Sequence, residues 1–270
     1  MTVLATAVAG RGLVPAGEPV FRADDEALLR GRAVFETARV YDGVPFRLAD
    51  HVERLRASAA RVRLSDPDGE ECARLAALVV EAAGGDGDLG LRLYWTGTTL
   101  AATASAIPAD LEERRSRGLR LAVVSWATGM LAGAKSMSYA ENIAAQDEAA
   151  ARGADDALLV GHDGTVLEAP TANVWWREGG QLLTPSLALP VLAGVTRAVL
   201  LDLAHAAGYE TEEGSFPLGR VLDADEIFLS SSIREVMPVS AVDGRPFAVG
   251  PAAARLQEAL RAAARVRSAV

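Results

Sequence analysis

The stretch "GMLAGAKSMSYAEN", residues 129 to 142, holds Lys135, the one lysine in a chain with 27 lysines and arginines together. Arginine is a permanent planar cation suited to carboxylates and phosphates, whereas lysine can lose its proton and attack a carbonyl as an amine. In a background rich in alanine and arginine, a lone lysine is either a leftover surface charge or an amine that arginine cannot replace. Its neighbours argue for the amine. Gly129, Ala132, Gly133, Ala134 and Ser136 are small enough to let a ligand approach the backbone, as imine formation at Lys135 requires.

Other chemistries find little support. There is no Gly-x-x-x-x-Gly-Lys-Ser/Thr and no His-Glu-x-x-His. The three histidines, His51, His162 and His205, stand far apart and read as solvated or capping residues, so no histidine metal site is expected. A single cysteine, Cys72, excludes an intrachain disulfide and reads as a helix-buried thiol. The net charge of -9 opposes binding to nucleic acid or an anionic membrane. No secretory or membrane-spanning segment is evident, which makes the cytoplasm the expected location.

An amine at 135 must be positioned by the elements around it. With 270 residues, half of them hydrophobic, and a mean hydropathy of +0.16, the chain can bury a full core. Residues 2–8 alternate as a strand. Residues 33–48 form a hairpin across a Tyr-Asp-Gly turn at 41–43. An amphipathic helix over 49–64 opens at Asp50 as N-cap and turns Val52, Leu55, Ala59 and Val62 inward. A second helix, 70–83, stops at Gly84-Gly85, and a strand follows at 89–98. The polar stretch 108–118, with Arg114, Arg115 and Arg117, reads as a solvated domain connection. Beyond it come a strand (119–126), a helix (138–153), two strands across a His-Asp-Gly turn with a third from Asn173 (156–176), a helix (194–208), a strand-loop-strand unit (226–244) and a closing helix (251–266). The mixture lacks regular β-α alternation, so an α+β or mixed two-domain enzyme is expected. The domains are placed at 1–112 and 119–270, joined by 113–118, with Lys135 in the larger second domain.

If the carbonyl at Lys135 belongs to pyridoxal 5'-phosphate, two further groups are required: a carboxylate for the pyridine nitrogen and a cradle for the phosphate. The sequence downstream supplies candidates. Glu168 in "TVLEAPTAN" also reads as a solvated hairpin glutamate. Val195 and Thr196 follow Gly194 at a helix start, where free N–H groups and the positive dipole end attract an anion, although Gly194-Val195-Thr196 also serves as a plain cap.

Four segments carry a resemblance: "GRAVFETARVYDGVPFRLADHVERLRASA" (31–59), "KSMSYAENIAAQDEAAARGADDALLVGHDGTVLEAPTANVWW" (135–176), "LAGVTR" (192–197) and "EIFLSSSIREVMPVSAVDG" (226–244). In this order and spacing the chain resembles the class IV, fold-type IV pyridoxal-phosphate aminotransferases, over nearly its whole length. That family includes D-amino-acid and branched-chain aminotransferases, (R)-amine transaminases and aminodeoxychorismate lyases. The resemblance implies a two-domain fold of that type. It matches Lys135 to the Schiff-base lysine that also shuttles the proton, Glu168 to the carboxylate facing the pyridine nitrogen, and Tyr139 to a hydrogen-bond donor for the cofactor's phenolic oxygen. It also matches Arg54, Val195, Thr196, Ser231 and Ser232 to the phosphate site. It further implies a homodimer.

The reaction is less sharply marked. "FETARV", with Phe35, Thr37 and Arg39, resembles the lyases as much as the transaminases. Where some D-amino-acid aminotransferases carry an arginine and a histidine for the substrate carboxylate, this chain has Ala102 and Ala104, leaving Arg39 and Arg92 as carboxylate candidates. The expected activity is transfer of an amino group from a D-amino acid or (R)-amine to a 2-oxo acid such as pyruvate or 2-oxoglutarate. Aminodeoxychorismate lyase is the second expectation. A branched-chain L-amino-acid aminotransferase ranks third, because those enzymes carry a Gly-Thr-Ala-type loop where this chain has Ser230-Ser231-Ser232.

Overall fold

A computed structural model describes residues 2–15, 17–84 and 87–268. The chain divides into two compact units. The first comprises Met1–Pro108, Ala134–Tyr139 and Ala263–Val270; the second comprises Ala109–Gly133 and Ala140–Ala262.

The first unit is built on an antiparallel sheet of β1 (Val3–Val8), β2 (Gly12–Leu13), β3 (Val34–Tyr41), β4 (Val44–Pro45), β5 (Leu89–Trp95) and β6 (Leu100–Ala106), in the order β2-β1-β6-β5-β3-β4. A short helix α1 (Glu26–Arg30) lies between β2 and β3. The Asp42-Gly43 turn joins β3 to β4 with both residues at positive φ, which matches the twist of a tight hairpin. Helices α2 (Leu48–Arg61) and α3 (Gly69–Ala82) contribute Leu55, Ala59, Leu75 and Val79 to a core shared with Val34, Ala38, Leu91, Leu93, Ala102 and Ala104. Burying each of the leucines contributes roughly 1.5–3 kcal/mol. Cys72 lies in this core, where burial pushes its thiol up to about 11.

Alternation along a strand sends successive side chains to opposite faces. Val34, Glu36 and Ala38 of β3 therefore point toward α2, and Phe35, Thr37 and Arg39 point away. Ala102 and Ala104 are completely buried in the core, so small side chains at these two positions are a packing requirement.

Several expectations change here. Asp50 is not the N-cap of α2: Arg47 occupies that place at φ 56, and Asp50 pairs with it from the first turn. Strand β6 was hidden by its alanines, which carry weak strand signal. Gly84 ends α3 at φ 105, and Gly85 lies outside the described residues.

The second unit contains β7 (Leu119–Trp126), β8 (Asp156–Gly161), β9 (Asn173–Glu178), β10 (Gln181–Pro185), β11 (Glu210–Gly214), β12 (Glu226–Ser231) and β13 (Glu235–Val242), in the order β11-β10-β9-β12-β13-β7-β8, with β14 (Arg245–Pro246) paired to β13. Its helices are α4 (Leu111–Arg117), α5 (Ala140–Ala151), α6 (Val195–Ala206), α7 (Leu218–Leu222) and α8 (Pro251–Ser268). The stretch 165–168, expected as a strand, makes isolated bridges from Val166 to Val160 and from Thr165 to Pro217, with Leu159 exchanging backbone hydrogen bonds with Leu167 and Glu168.

The proposed connector 113–118 falls within or just beyond α4, in the second unit. Its arginines are not uniformly solvated: Arg115 reaches a fully buried Glu235. Residues Ala134–Tyr139, including Lys135, group with the first unit, although the sequence placed this lysine in the second domain.

Candidate active site

In the first unit, Lys135 lies on an irregular segment that runs beside the start of β3. Phe35 N–H donates to the Lys135 carbonyl at 3.0 Å, Met137 N–H donates to Ala33 O at 2.8 Å, and Ser136 bridges Val34. The Lys135 N–H donates to Ser58 Oγ of α2 at 3.0 Å. These bonds fix the backbone on both sides of the lysine without any helix. Residues 135–139 are not helical, so the four-residue spacing of Lys135 and Tyr139 does not set them one helical turn apart.

The lysine is nevertheless close to aromatic and cationic groups. Lys135 Nζ is 4.6 Å from the Phe35 ring centroid and Arg92 Cζ is 5.1 Å from the same centroid. Tyr139 meets Phe35 edge-on at 5.6 Å. Thr37 of β3 is registered opposite Arg92 of β5, so Phe35, Thr37 and Arg92 share one sheet face. Arg92 Nε is buried without a hydrogen-bond partner among the described residues. Arg39 differs: it is buried, its Nε and Nη2 donate to Asp88 at 3.0 and 2.6 Å, and it packs over Tyr41.

Behind β3, on the helix side, Glu36 is 1% exposed. It accepts from Arg54 Nε at 2.7 Å, from Arg54 Nη2 at 2.8 Å and from His51 Nδ1 at 2.8 Å. Burial pushes the Glu36 carboxyl up, but the Arg54 charge and the bonds from Arg54 and His51 outweigh it and hold the group at about 2. Burial pushes His51 below the usual imidazole range despite Glu36, so this histidine is a neutral Nδ1–H donor rather than a solvated or capping residue. Glu36 and His51 were not recognised as partners of Arg54 from sequence. The signal was available, since Glu36 alternates with apolar Val34 and Ala38 and must enter the core with them.

In the second unit, Glu168 ends the stretch that follows the His-Asp-Gly turn, just ahead of the tight Ala169–Ala172 reversal. One of its oxygens, Oε2, accepts from Asn173 Nδ2 at 3.2 Å and from Leu192 N–H at 3.1 Å. Asn173 Nδ2 also donates to Leu192 O at 2.9 Å. Gly194, the N-cap of α6, packs so closely that an added Cβ would collide with Asn173 Oδ1. Asn173 therefore connects the carboxylate at 168 to the start of α6 in one hydrogen-bonded unit, a role the sequence did not reveal. The α6 terminus has no side-chain cap, which leaves the N–H groups of its first turn available to an anion.

Of three consecutive serines, Ser230 is buried and accepts from Trp175 Nε1 at 2.9 Å, while Ser231 and Ser232 are partly exposed. The Ser231 hydroxyl accepts from Arg234 N–H at 3.3 Å and keeps its own proton for donation. The first unit thus groups Lys135 with Phe35, Arg92 and Tyr139, and sets Arg54 apart with Glu36. The second unit holds Glu168, Val195 and Thr196 around Asn173 and Gly194, with Ser231 and Ser232 on the β12–β13 turn. Among the described residues, no cluster of histidine, cysteine or acidic side chains suits a metal ion.

Residues 33–242 match the family model of class IV aminotransferases. A bifunctional aminodeoxychorismate lyase / D-amino acid transaminase of Mycobacterium tuberculosis is 31% identical over 92% of this chain and 94% of its own length. The PLP-bound form of a hypothetical aminotransferase from Mycobacterium tuberculosis superposes with a TM-score of 0.90 at 30% identity, covering 96% of this chain and 98% of that one. A branched-chain aminotransferase from Thermoproteus uzoniensis, solved with norvaline, superposes with a TM-score of 0.89 at 30% identity, covering 97% and 95%.

The chain belongs to the class IV aminotransferases and has the fold-type IV architecture. Its cofactor is pyridoxal 5'-phosphate, and residues of the kinds that group needs are present: in the first unit an amine on a non-helical segment, and in the second a glutamate tied to Asn173 and Leu192 and a helix terminus without a side-chain cap. It is a pyridoxal-phosphate-dependent aminotransferase. Among the described residues, no helix is long and apolar enough to cross a membrane.

Proposed function

We propose that this enzyme transfers the amino group of a D-amino acid, and of (R)-amines as secondary donors, to a 2-oxo acid of the pyruvate or 2-oxoglutarate type. The observation that carries the reading is Arg92. Its guanidinium stands over the same ring as the lysine amine, and its buried Nε has no partner among the described residues, which suits a donor that brings a carboxylate. Arg39 is already paired with Asp88 and is a poor candidate for that task. The preference for the D-series rests on the activity named for the Mycobacterium tuberculosis relative.

When bound, pyridoxal 5'-phosphate supplies an aldehyde for the amine and a ring that withdraws electrons from the donor's α-carbon. Lys135 Nζ would hold that aldehyde and would serve as the base that takes up and returns the donor's α-proton. Glu168 would face the pyridine nitrogen, and Asn173 and Leu192 hold its Oε2 and keep the carboxylate plane fixed. Tyr139 donates to the phenolic oxygen. Arg54, the first-turn N–H groups of Val195 and Thr196, and the hydroxyls of Ser231 and Ser232 are the groups that would hold the phosphate. Phe35 and Thr37 line the donor side chain. We further assign the working form to a homodimer in the cytoplasm, with no nucleic-acid or membrane partner.

The test is a half-reaction. Added D-alanine should convert the visible spectrum of the purified enzyme to that of the pyridoxamine form, and 2-oxoglutarate should restore it. Lys135→Ala should retain the fold and lose turnover; a variant that transaminates at the parental rate would remove the lysine from the mechanism. Aminodeoxychorismate lyase is the second reading, favoured by the bifunctional relative and by "FETARV". Release of pyruvate and 4-aminobenzoate from aminodeoxychorismate, without the D-alanine spectral change, would select it. A branched-chain L-amino-acid aminotransferase, the activity named for the Thermoproteus relative, predicts the spectral change with L-leucine instead.

A further inference from the structure

The turn that carries Ser231 and Ser232 closes on a residue in an unusual state. Glu235 is fully buried, is registered opposite Ser231, and has φ 58, a left-handed conformation that most side chains avoid. Glycine would adopt it without steric strain, so the identity of this residue calls for a reason in its carboxylate.

The surroundings supply that reason. Glu235 accepts from Gln257 Nε2 at 2.8 Å and Arg261 Nη2 at 2.7 Å, both on α8, and from Arg115 Nη2 at 3.1 Å on α4. Arg115 also donates to the two flanking carbonyls, Arg234 O at 2.7 Å and Val236 O at 3.2 Å. Gln257 Oε1 accepts from Val236 N–H at 2.9 Å. The preceding residue is tied elsewhere: Arg234 Nη1 donates at 2.6 Å to Asp156, which is buried at the start of β8. Two consecutive residues of a short turn are therefore held by buried ionic contacts to three different elements. Arg234 N–H, between those anchors, donates to the Ser231 hydroxyl.

We propose that Glu235, with Arg115, Gln257 and Arg261, is a positioning cluster that sets the Ser231–Ser232 hydroxyls in place for the cofactor's phosphate before the cofactor arrives. Glu235 touches neither cofactor nor substrate. It acts through the backbone it holds in the left-handed state, and the carboxylate keeps that strained conformation populated. The inference rests on the assignment of Ser231 and Ser232 to the phosphate site.

The test compares two probes, pyridoxal 5'-phosphate and pyridoxal, which differ only in the phosphate. Their dissociation constants are measured on the full-length protein after resolution and dialysis. Glu235→Gly keeps the backbone accessible while deleting the carboxylate, so the fold should survive. Binding of pyridoxal 5'-phosphate should weaken by about tenfold or more, with pyridoxal unchanged. Arg115→Met, which leaves Glu235 with Arg261 and Gln257, should give a smaller loss of the same selective kind. In the parent, amide hydrogens of residues 232–235 should exchange slowly even without cofactor.

Equal weakening of both probes in the two variants would mean a general structural role and would overturn the proposal. Unchanged binding of both, or fast exchange at 232–235 in the cofactor-free parent, would overturn it too. The underlying assignment is checked separately with Ser231→Ala/Ser232→Ala. If that double variant binds pyridoxal 5'-phosphate like the parent, the serines are not the cradle and the proposal falls with them, whereas a loss there combined with no loss in Glu235→Gly refutes the positioning role alone.

Discussion

The two faces of the first sheet treat charge in opposite ways where β3 begins. On the helix side Glu36 is surrounded by donors from Arg54 and His51, and all three side chains are largely withdrawn from water. On the other face, one residue earlier in the strand, Phe35 has Lys135 and Arg92 over its ring, and Arg92 Nε is buried without a partner. A buried charge that has its counter-charge and hydrogen bonds stabilises structure, whereas one left short of partners has a desolvation penalty that a ligand can relieve. The strand thus separates a buried carboxylate met by Arg54 and His51 from an arginine, Arg92, whose Nε has no partner among the described residues.

Breaking the closed side should have the largest effect. Glu36→Gln leaves Arg54 buried without its carboxylate and should destabilise the protein by about 3–5 kcal/mol, read from denaturant unfolding. The pH dependence sharpens the point. Glu36 is held at about 2, below its ordinary 4.5, so its contribution is complete above pH 4.5 and is lost as pH falls toward 2. His51, whose buried ring resists protonation, also loses stability for the fold as pH drops below about 6.5. Parental stability should therefore decline in two stages on acidification. Glu36→Gln should flatten the lower one, and an unchanged slope below pH 4.5 would show that Glu36 does not carry the charge assigned to it.

Opening the other face further should act on turnover more than on folding. Arg92→Met keeps the side-chain volume over Phe35 and removes the charge. A carboxylate-bearing donor loses a charge-assisted pair of about 1.5–3 kcal/mol, so kcat/KM for D-alanine should fall about 10- to 100-fold. A carboxylate-free (R)-amine should be much less affected. Equal losses for both donors would place the substrate carboxylate elsewhere.

This division explains how much could be read from the sequence. The order of the motifs carried the family and the fold type, and the alternation in β3 and the apolar stripe of α2 were plain from Val34, Ala38, Val52, Leu55 and Ala59. Pairings between distant residues were not. Nothing local in "HVERL" announces that Arg54 meets Glu36 or that His51 is buried, because both facts depend on α2 lying against β3. The same holds for Asn173 and Gly194, whose close packing appears only once the start of α6 reaches β9. Arg115 read as one of several solvated arginines because its partner, Glu235, lies 120 residues further along the chain. Alanine-rich β6 was missed for a local reason: its alanines pack well inside this core but give little periodic contrast against their neighbours.

Arg39 provides the finest test of the comparison, since it shares the open face with Arg92 and yet has its partner. It is two strand positions beyond Thr37, buried, and paired through two nitrogens to Asp88, which is itself about one-third exposed. Pairing with a partly exposed carboxylate and packing over Tyr41 together contribute only about 1–2 kcal/mol. Arg39→Met should thus lower the melting temperature by a few degrees. KM for D-alanine should stay at the parental value, because no free donor is lost from the face that meets the substrate. The decisive measurement is KM for D-alanine in Arg39→Met and Arg92→Met side by side. If both rise together, partner satisfaction does not distinguish structural from substrate-facing arginines on this sheet, and the carboxylate must be shared between them.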